Sequence, residues 1–296
     1  MWTDDFARFV APARARPALW RVGVAILVIV AVYFAWILAV LAAAWAASGG
    51  TALEDAMHRI ADADTPASVL WMLATFLGMA LGAILAARLL HGRRMGSLFG
   101  PGLWRGFAAG AVIAAGVFAA TFLMPLPFDP VRNVPADVWL TLLPLALLGL
   151  LVQTGAEEVL FRGYLQTQLA ARFDSPVAWM ALPAVVFGAL HYDPAGAGGN
   201  APWLVAAATL FGLIAADLTR VTGSIGAAWG VHFVNNAFAI LIVALDGALS
   251  GLSFWKTPFA VTDTAVLRPL IAFDMLTTVI VWAAIRLWLA RRARPA

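Results

Sequence analysis

The sequence predicts an all-α protein, a polytopic transmembrane bundle of about eight spans with both termini in the cytoplasm. Composition is the first reason: 63% of the residues are hydrophobic, only 12% are charged, and the mean hydropathy is +0.89. A soluble domain of this size could not bury that much apolar surface. The arrangement of the apolar residues and the placement of the arginines are the second and third reasons.

The apolar residues fall into eight stretches separated by polar or Pro/Gly-rich breaks. Such stretches are expected in lipid, because every backbone polar group must be satisfied within a helix. They lie at 19–47, 67–90, 103–124, 137–171, 176–192, 203–219, 224–246 and 267–290. The first is too long to be the apolar core of a cleaved signal peptide. We find no repeat or soluble domain, so residues 1–296 are predicted to form a single membrane domain.

The positive residues set the predicted orientation, because Arg and Lys near span ends favour the cytoplasmic side. With the N-terminus inside, the inside segments hold Arg8, Arg14, Arg16, Arg21, Arg88, Arg93, Arg94, Arg105, Arg172, Arg220, Arg286, Arg291, Arg292 and Arg294. The outside loops hold only Arg59, Arg132, Lys256 and Arg268. We therefore expect a multi-pass protein of the plasma (inner) membrane. The spread of the arginines favours anionic membrane lipids as partners and argues against nucleic acid.

Ionisable residues inside the apolar stretches are concentrated between residues 140 and 236. Intramembrane polar groups are costly and indicate function by default. The fourth stretch carries Glu157, Glu158 and Arg162. Residues four apart share a helix face, so Glu158 and Arg162 are predicted to form a structural ion pair. Glu157 points elsewhere and is free to act as a general base.

His191 ends the fifth stretch, and Glu157 and His191 are each seventeen residues from Asp174 in the polar turn between the two helices. In an antiparallel hairpin the carboxylate and the imidazole would lie at similar depth, roughly 20–25 Å from the turn, and could share one water. The seventh stretch places His232 and Asn236 four apart on one face, where they could bind a metal or stabilise an oxyanion. Helical rise puts His232 at a shallower depth, roughly 15 Å from its turn, so a tilt or a later helix start is needed.

These residues also have a purely structural interpretation. Glu157, Glu158 and Arg162 could form a buried structural network, or lie in a partly solvated helix, and an isolated membrane histidine is often a packed polar residue. His58 and His91 are predicted to be solvated in loops. Asp217 and Asp274 lie near helix ends, where water reaches them, and carry little functional expectation.

The three motifs Glu157-Glu158-x-x-x-Arg162, Phe187-x-x-x-His191 and His232-x-x-x-Asn236, in this order on successive helices, resemble the CPBP family. These are the CAAX proteases and bacteriocin-processing enzymes, also called Abi proteins, and they include the type II CAAX prenyl endopeptidases. The motif-bearing core covers 137–245. The resemblance implies peptide-bond hydrolysis within the membrane. Glu157 and His191 would activate water, while His232 and Asn236 would stabilise the oxyanion of a peptide or protein substrate.

The cofactor is left open by the sequence. There is no cysteine, so a metal would have to be held by residues such as Glu157, His191 and His232, a set that is compatible with zinc. Glu157 cannot easily be both a tight ligand and the base, which favours the metal-free mechanism. Two other functions compete with peptidase: a proton-coupled transporter, which also uses midplane acids and histidines, and a catalytically silent immunity or scaffold protein of the same fold.

Overall fold

A computed structural model describes residues 2–50, 53–125, 127–247 and 249–292. The longer α-helices are α2 (Leu19–Ala47), α4 (Pro66–His91), α5 (Leu103–Thr121), α6 (Ala136–Glu158), α10 (Ala201–Thr222), α11 (Gly226–Ala237) and α12 (Thr264–Arg292). The shorter ones are α1 (Asp4–Val10), α3 (Leu53–Asp62), α7 (Thr167–Ala170), α8 (Leu182–Ala189) and α9 (Pro194–Ala197). Arg294, one of the predicted inside residues, lies outside the described residues.

Six helical segments among the described residues are long and apolar enough to cross a membrane. They are Leu19–Ala47, Pro66–His91, Met95–Thr121, Ala136–Ala170, Pro194–Thr222 and Thr264–Arg292. Two shorter apolar helical segments, Val177–Ala189 and Gly226–Ile242, occupy the remaining predicted stretches. The predicted all-α helical membrane bundle is therefore confirmed, while the count of eight spans and the side of each terminus stay predictions.

Three loops predicted to lie outside come together at one end of the bundle. Two of these loops and the end of the predicted seventh stretch form a small sheet that the sequence did not predict. Its strands β1 (Val131–Arg132), β2 (Val243–Asp246) and β3 (Trp255–Ala260) lie in the order β1-β3-β2. β3 pairs antiparallel with β1 and parallel with β2. The backbone N–H of Leu249 also donates to the carbonyl of Asp62, which ties the first of these loops to the last.

The N-terminal segment packs at the opposite end. The hydroxyl of Thr3 donates to the carbonyl of Arg220, and a Cβ on Gly223 would lie 2.5 Å from the backbone oxygen of Asp5. Ser224 and Ile225, in the turn before α11, are buried. This turn is therefore covered by other parts of the chain.

His91 contradicts its predicted solvated position, because it is buried at the end of α4. Its Nε2 lies 2.8 Å from the Tyr164 hydroxyl and its Nδ1 lies 3.0 Å from the carbonyl of Arg16. Nearby, buried Arg93 donates to Thr167 and to the carbonyl of Gly163. Desolvation by this burial lowers the pKa of Arg93 to about 10. These polar contacts fasten the loop after α4 to the helix that follows the two glutamates. His58 is exposed as predicted, but it lies in α3 rather than in a loop.

Small residues let α5 and α11 cross at backbone distance. A Cβ on Gly230 would lie 2.2 Å from the carbonyl oxygen of Phe107, and one on Gly110 would lie 2.4 Å from that of Ala227. Gly226 makes a similar approach to Leu103. Close approach of helix backbones at small residues is typical of membrane bundles. It fixes α11, and with it His232, against the scaffold.

Candidate active site

The helix that carries both glutamates changes geometry directly after them. It is α-helical through Glu158 and π-helical over Val159–Gln166. Such segments are frequent at functional sites. Arg162 Nη1 still reaches Glu158 Oε1 at 2.9 Å, in a pair whose side chains are 2% and 0% exposed. Arg162 Nη2 also donates to the carbonyl of Gly212 at 3.4 Å. Glu158 thus keeps a buried cation beside it, which offsets part of the cost of burying its charge.

His232 bridges the two glutamates. Its Nδ1 lies 2.8 Å from Glu158 Oε1, and its Nε2 lies 3.3 Å from Glu157 Oε2. A carboxylate oxygen that already accepts from Arg162 can only accept again, so Nδ1 carries a proton. Nε2 is therefore aimed at Glu157. Glu158 has a role that the spacing did not reveal, because it holds the imidazole ring of His232 in place.

Asn236 lies one turn after His232 and is held by a residue that the motifs did not include. Its Nδ2 donates to Gln153 Oε1 at 2.9 Å. Gln153 is buried and lies four residues before Glu157, on the same face of α6. A glutamine in an otherwise apolar helix, four positions from a candidate catalytic acid, was a signal in the sequence that could have indicated Gln153 as a site residue. One of the two N–H groups on Nδ2 is left for another acceptor.

His191 lies just after α8, at the open side of the site. Its Nδ1 lies 2.8 Å from the carbonyl of Phe187. A carbonyl only accepts, so Nδ1 holds the proton and Nε2 of the neutral ring presents a lone pair. His191 and its neighbours Leu190 and Tyr192 are exposed, whereas His232 is buried. The structure places His191 within electrostatic range of Glu157 but in direct contact with Phe187.

Aromatic rings separate and orient the charged groups. The ring of Phe187 lies 4.8 Å from that of His191 and 6.0 Å from that of His232. The Arg162 guanidinium carbon lies 4.8 Å from the same Phe187 centroid, and Phe211 packs on His232 at 4.6 Å. Restricted rings and a dry surround preorganise the site and strengthen its electrostatics.

The candidate metal ligands are not gathered around one point in this arrangement. Glu157 and His232 contact each other directly, and His191 stands apart at the surface. No group of three or more His, Asp or Glu side chains within the described ranges has the geometry to hold an ion. The buried Oε2 atoms of Glu157 and Glu158 have no hydrogen-bond partner among the described residues. They are acceptors, and a water or a substrate N–H could satisfy them as well as a cation could.

The comparisons with known proteins fall on this helical core. Residues 137–238 match the family model described as type II CAAX prenyl endopeptidase Rce1-like. The resemblance predicted from the motifs is confirmed. A second match is an uncharacterised protein, YyaK, of Bacillus subtilis (strain 168), which is 26% identical over 195 residues. The alignment spans 64% of this chain and 64% of that relative, so it covers less than two thirds of the relative's length.

The family match includes every motif residue, since Glu157, Glu158, Arg162, His191, His232 and Asn236 all lie within 137–238. The apolar helices point to a multi-pass membrane protein, and the family model that matches its core describes a protease. Bacteriocin processing, metal dependence, the plasma membrane as the location, and the role of each site residue stay predictions.

Proposed function

We propose that the chain is an intramembrane endopeptidase of the plasma membrane that hydrolyses a peptide bond of a membrane-associated protein or peptide without a metal. The observation that carries this proposal is the bridge from Glu157 through His232 to Glu158 and Arg162. An imidazole that one acid holds by a hydrogen bond, in close contact with a second acid, is an arrangement that orients a proton-transfer group. The family match supports a protease and suggests CAAX-type or bacteriocin-like substrates.

The proposed step uses a water between Glu157 and His191. Glu157 takes a proton from the water, and the oxygen forms a bond to the carbonyl carbon of the substrate. The resulting oxyanion lies near His232 and the free N–H of Asn236, which stabilise the negative charge. The proton then passes to the amide nitrogen as the C–N bond breaks, leaving a carboxylic acid and an amine.

Access to this centre is proposed at the exposed end of α8. His191 combines a lone pair on Nε2 with an exposed position, so a peptide reaching the site meets it before it meets Glu157. Glu157, Glu158, Arg162 and His232 are buried. Burial limits competing water and suits a reaction in which one placed water molecule is the nucleophile.

The proposal can be tested before any substrate has been identified. Membranes of cells that express the wild-type chain or Glu157→Gln are compared for new protein N-termini by mass spectrometry. A farnesylated CAAX peptide is added to the purified proteins as a defined probe. We expect termini, or peptide cleavage, that depend on Glu157. Identical sets of termini together with an uncut probe would contradict peptidase activity.

A further inference from the structure

Asp274 lies on the inner face of α12. The buried residues of this helix that repeat at intervals of three or four are Leu267, Ile271, Thr278, Val281 and Ile285. Asp274 continues this stripe, three residues after Ile271 and four before Thr278. A helix of 3.6 residues per turn therefore directs Asp274 into the bundle.

Although it is on the inner face, Asp274 is exposed. The lipid-facing side of α12 is marked by Phe273, Leu276 and Ile280, which are exposed large apolar residues on the opposite face. The exposure of Asp274 on the inner stripe means that no neighbouring helix covers it at this level. The residues of α10 from 204 to 210, except the exposed Ala206, are likewise only partly covered.

The depth of Asp274 follows from contacts between α10 and α12. The side chain of Arg268 donates to Asn200 Oδ1 near one end, and the indole of Trp282 donates to Asp217 near the other. The two residues of each pair are 68 and 65 positions apart in the sequence. The same offsets, applied to Asp274, place it level with residues 206–209 of α10. Thr209 in that range packs against Gly188, three residues before His191. Asp274 is thus at the depth of the candidate active site.

α11 carries a further polar residue, Asn235, on the face that joins the buried cluster shared with α12. Val231 belongs to the same buried cluster as Val281, and Asn235 lies four residues after Val231, on the same face. Asn235 is partly exposed, and its Nδ2 donates to Asn236 Oδ1 at 3.4 Å. The polar side chains therefore continue from Gln153 through Asn236 to Asn235.

Asp274 has no cation of its own. Among the described residues it makes no hydrogen bond or ion pair in this structure, and the two arginines nearest to it along α12 are engaged elsewhere. Arg268 binds Asn200 and the carbonyl of Gly199, and Arg286 binds Asp217. An unpaired carboxylate in an apolar surround favours a cationic ligand that brings hydrogen-bond donors.

We propose that Asp274 binds a basic side chain, arginine or lysine, of the peptide substrate, on the uncovered inner face of α12 beside α10. This inference rests on the proposed function, because the ligand is part of the substrate. The apolar residues of these two helices suit the methylene stem of such a side chain, and the carboxylate suits its charged end. Because Asp274 is level with His191, the basic residue would lie near the peptide bond that is cut.

The first test asks whether water reaches Asp274, and it benefits from a chain without cysteine. Asp274→Cys and the control Leu276→Cys are treated in membranes with a water-soluble methanethiosulfonate reagent, which reacts with the thiolate. We expect rapid labelling of Asp274→Cys and little labelling of Leu276→Cys, which faces lipid. Labelling of Asp274→Cys as slow as that of Leu276→Cys would show that Asp274 faces lipid and would overturn the proposal.

The second test measures binding rather than cleavage, so it can be read even if turnover is never found. Glu157→Gln protein is incubated with short apolar peptides that carry arginine, lysine or neutral citrulline at one varied position. We expect one position at which the basic peptides bind about tenfold or more tightly than citrulline. The preference should vanish in Glu157→Gln/Asp274→Asn and persist in Glu157→Gln/Asp129→Asn, whose altered residue is a loop acid away from this face. Persistence with Asp274→Asn, or no preference at any position, would overturn the proposal.

Discussion

His232 and Glu158 lie 2.8 Å apart, from imidazole Nδ1 to carboxylate Oε1. Glu158 Oε1 therefore accepts from two donors at once, since it also accepts from Arg162. The pairing on one helix was predicted from a spacing of four residues. The link to α11 joins two helices that are distant in sequence, so no local pattern could reveal it.

The two adjacent glutamates should respond differently to substitution. Glu157→Gln keeps the size of the side chain but removes the base, so turnover should be lost while unfolding is little changed. Glu158→Ala leaves Arg162 buried without its charge partner, and we expect a loss of about 3–5 kcal/mol in the free energy of unfolding. Unfolding in mild detergent with added denaturant, and cleavage of any substrate found, would measure the two effects.

A double variant provides the control for that prediction. Glu158→Leu/Arg162→Met replaces the buried pair with apolar side chains of similar volume, which should restore most of the lost stability. It should not restore turnover, because His232 would lack the acceptor at Nδ1. Recovery of activity in this variant would show that Glu158 does not position His232.

Asn236 is expected to act through an amide that Gln153 holds in place. Asn236→Ala should lower kcat by about 10²–10³, the usual effect of removing one oxyanion donor, with little change in KM. Gln153→Ala should have a smaller effect of the same kind, because it only frees the amide to rotate. If the two act together, the double variant will be no slower than Asn236→Ala alone. Additive losses would separate their roles.

The crossing of α5 and α11 should tolerate no side chain at Gly230. A Cβ there would meet the Phe107 carbonyl at 2.2 Å, and backbone atoms cannot move aside cheaply. Gly230→Ala should destabilise the fold by about 1–3 kcal/mol. It should also displace His232, which lies two residues further along α11. Gly116→Ala, on the same helix pair but with open space around the added carbon, is the matched control. Equal melting temperatures for both variants would contradict this close packing.

Topology is a further prediction, motivated by the positive residues. Reporter fusions after Asp62, Asp129, Asp193 and Thr257 should report the outside, and those after Arg94 and Ala296 the cytoplasm. The structure is consistent in one respect: the loops containing Asp62 and Thr257 adjoin through Leu249 at the end that holds the small sheet. Ala296 itself lies beyond the described residues. An outside C-terminus would overturn the eight-span arrangement.

Sequence patterns predicted the helices well, because lipid demands long apolar segments and each is visible locally. They failed where tertiary packing decides. His91 looked solvated from its position at a helix end, but a tyrosine and the N-terminal segment cover it. Helical rise placed His232 at a shallower depth than Glu157. In the structure the two side chains are in contact, because α11 packs on α6, a helix distant in sequence. Asp274 was predicted to be an ordinary residue near a helix end. Only the contacts between α10 and α12 show that it lies level with the candidate active site.

Metal dependence is the last prediction. In the metal-free mechanism, activity survives exhaustive chelation, and purified protein holds well under one equivalent of zinc. A zinc enzyme would lose activity on chelation, regain it on zinc addition, and bind less metal as His191→Ala or His232→Ala, because each lost ligand weakens coordination. We expect the metal-free result, since Glu157 and His232 contact each other directly and Glu157 is needed as the base. Stoichiometric zinc in an active preparation, lost together with activity in both histidine variants, would defeat this mechanism and leave the peptidase assignment intact.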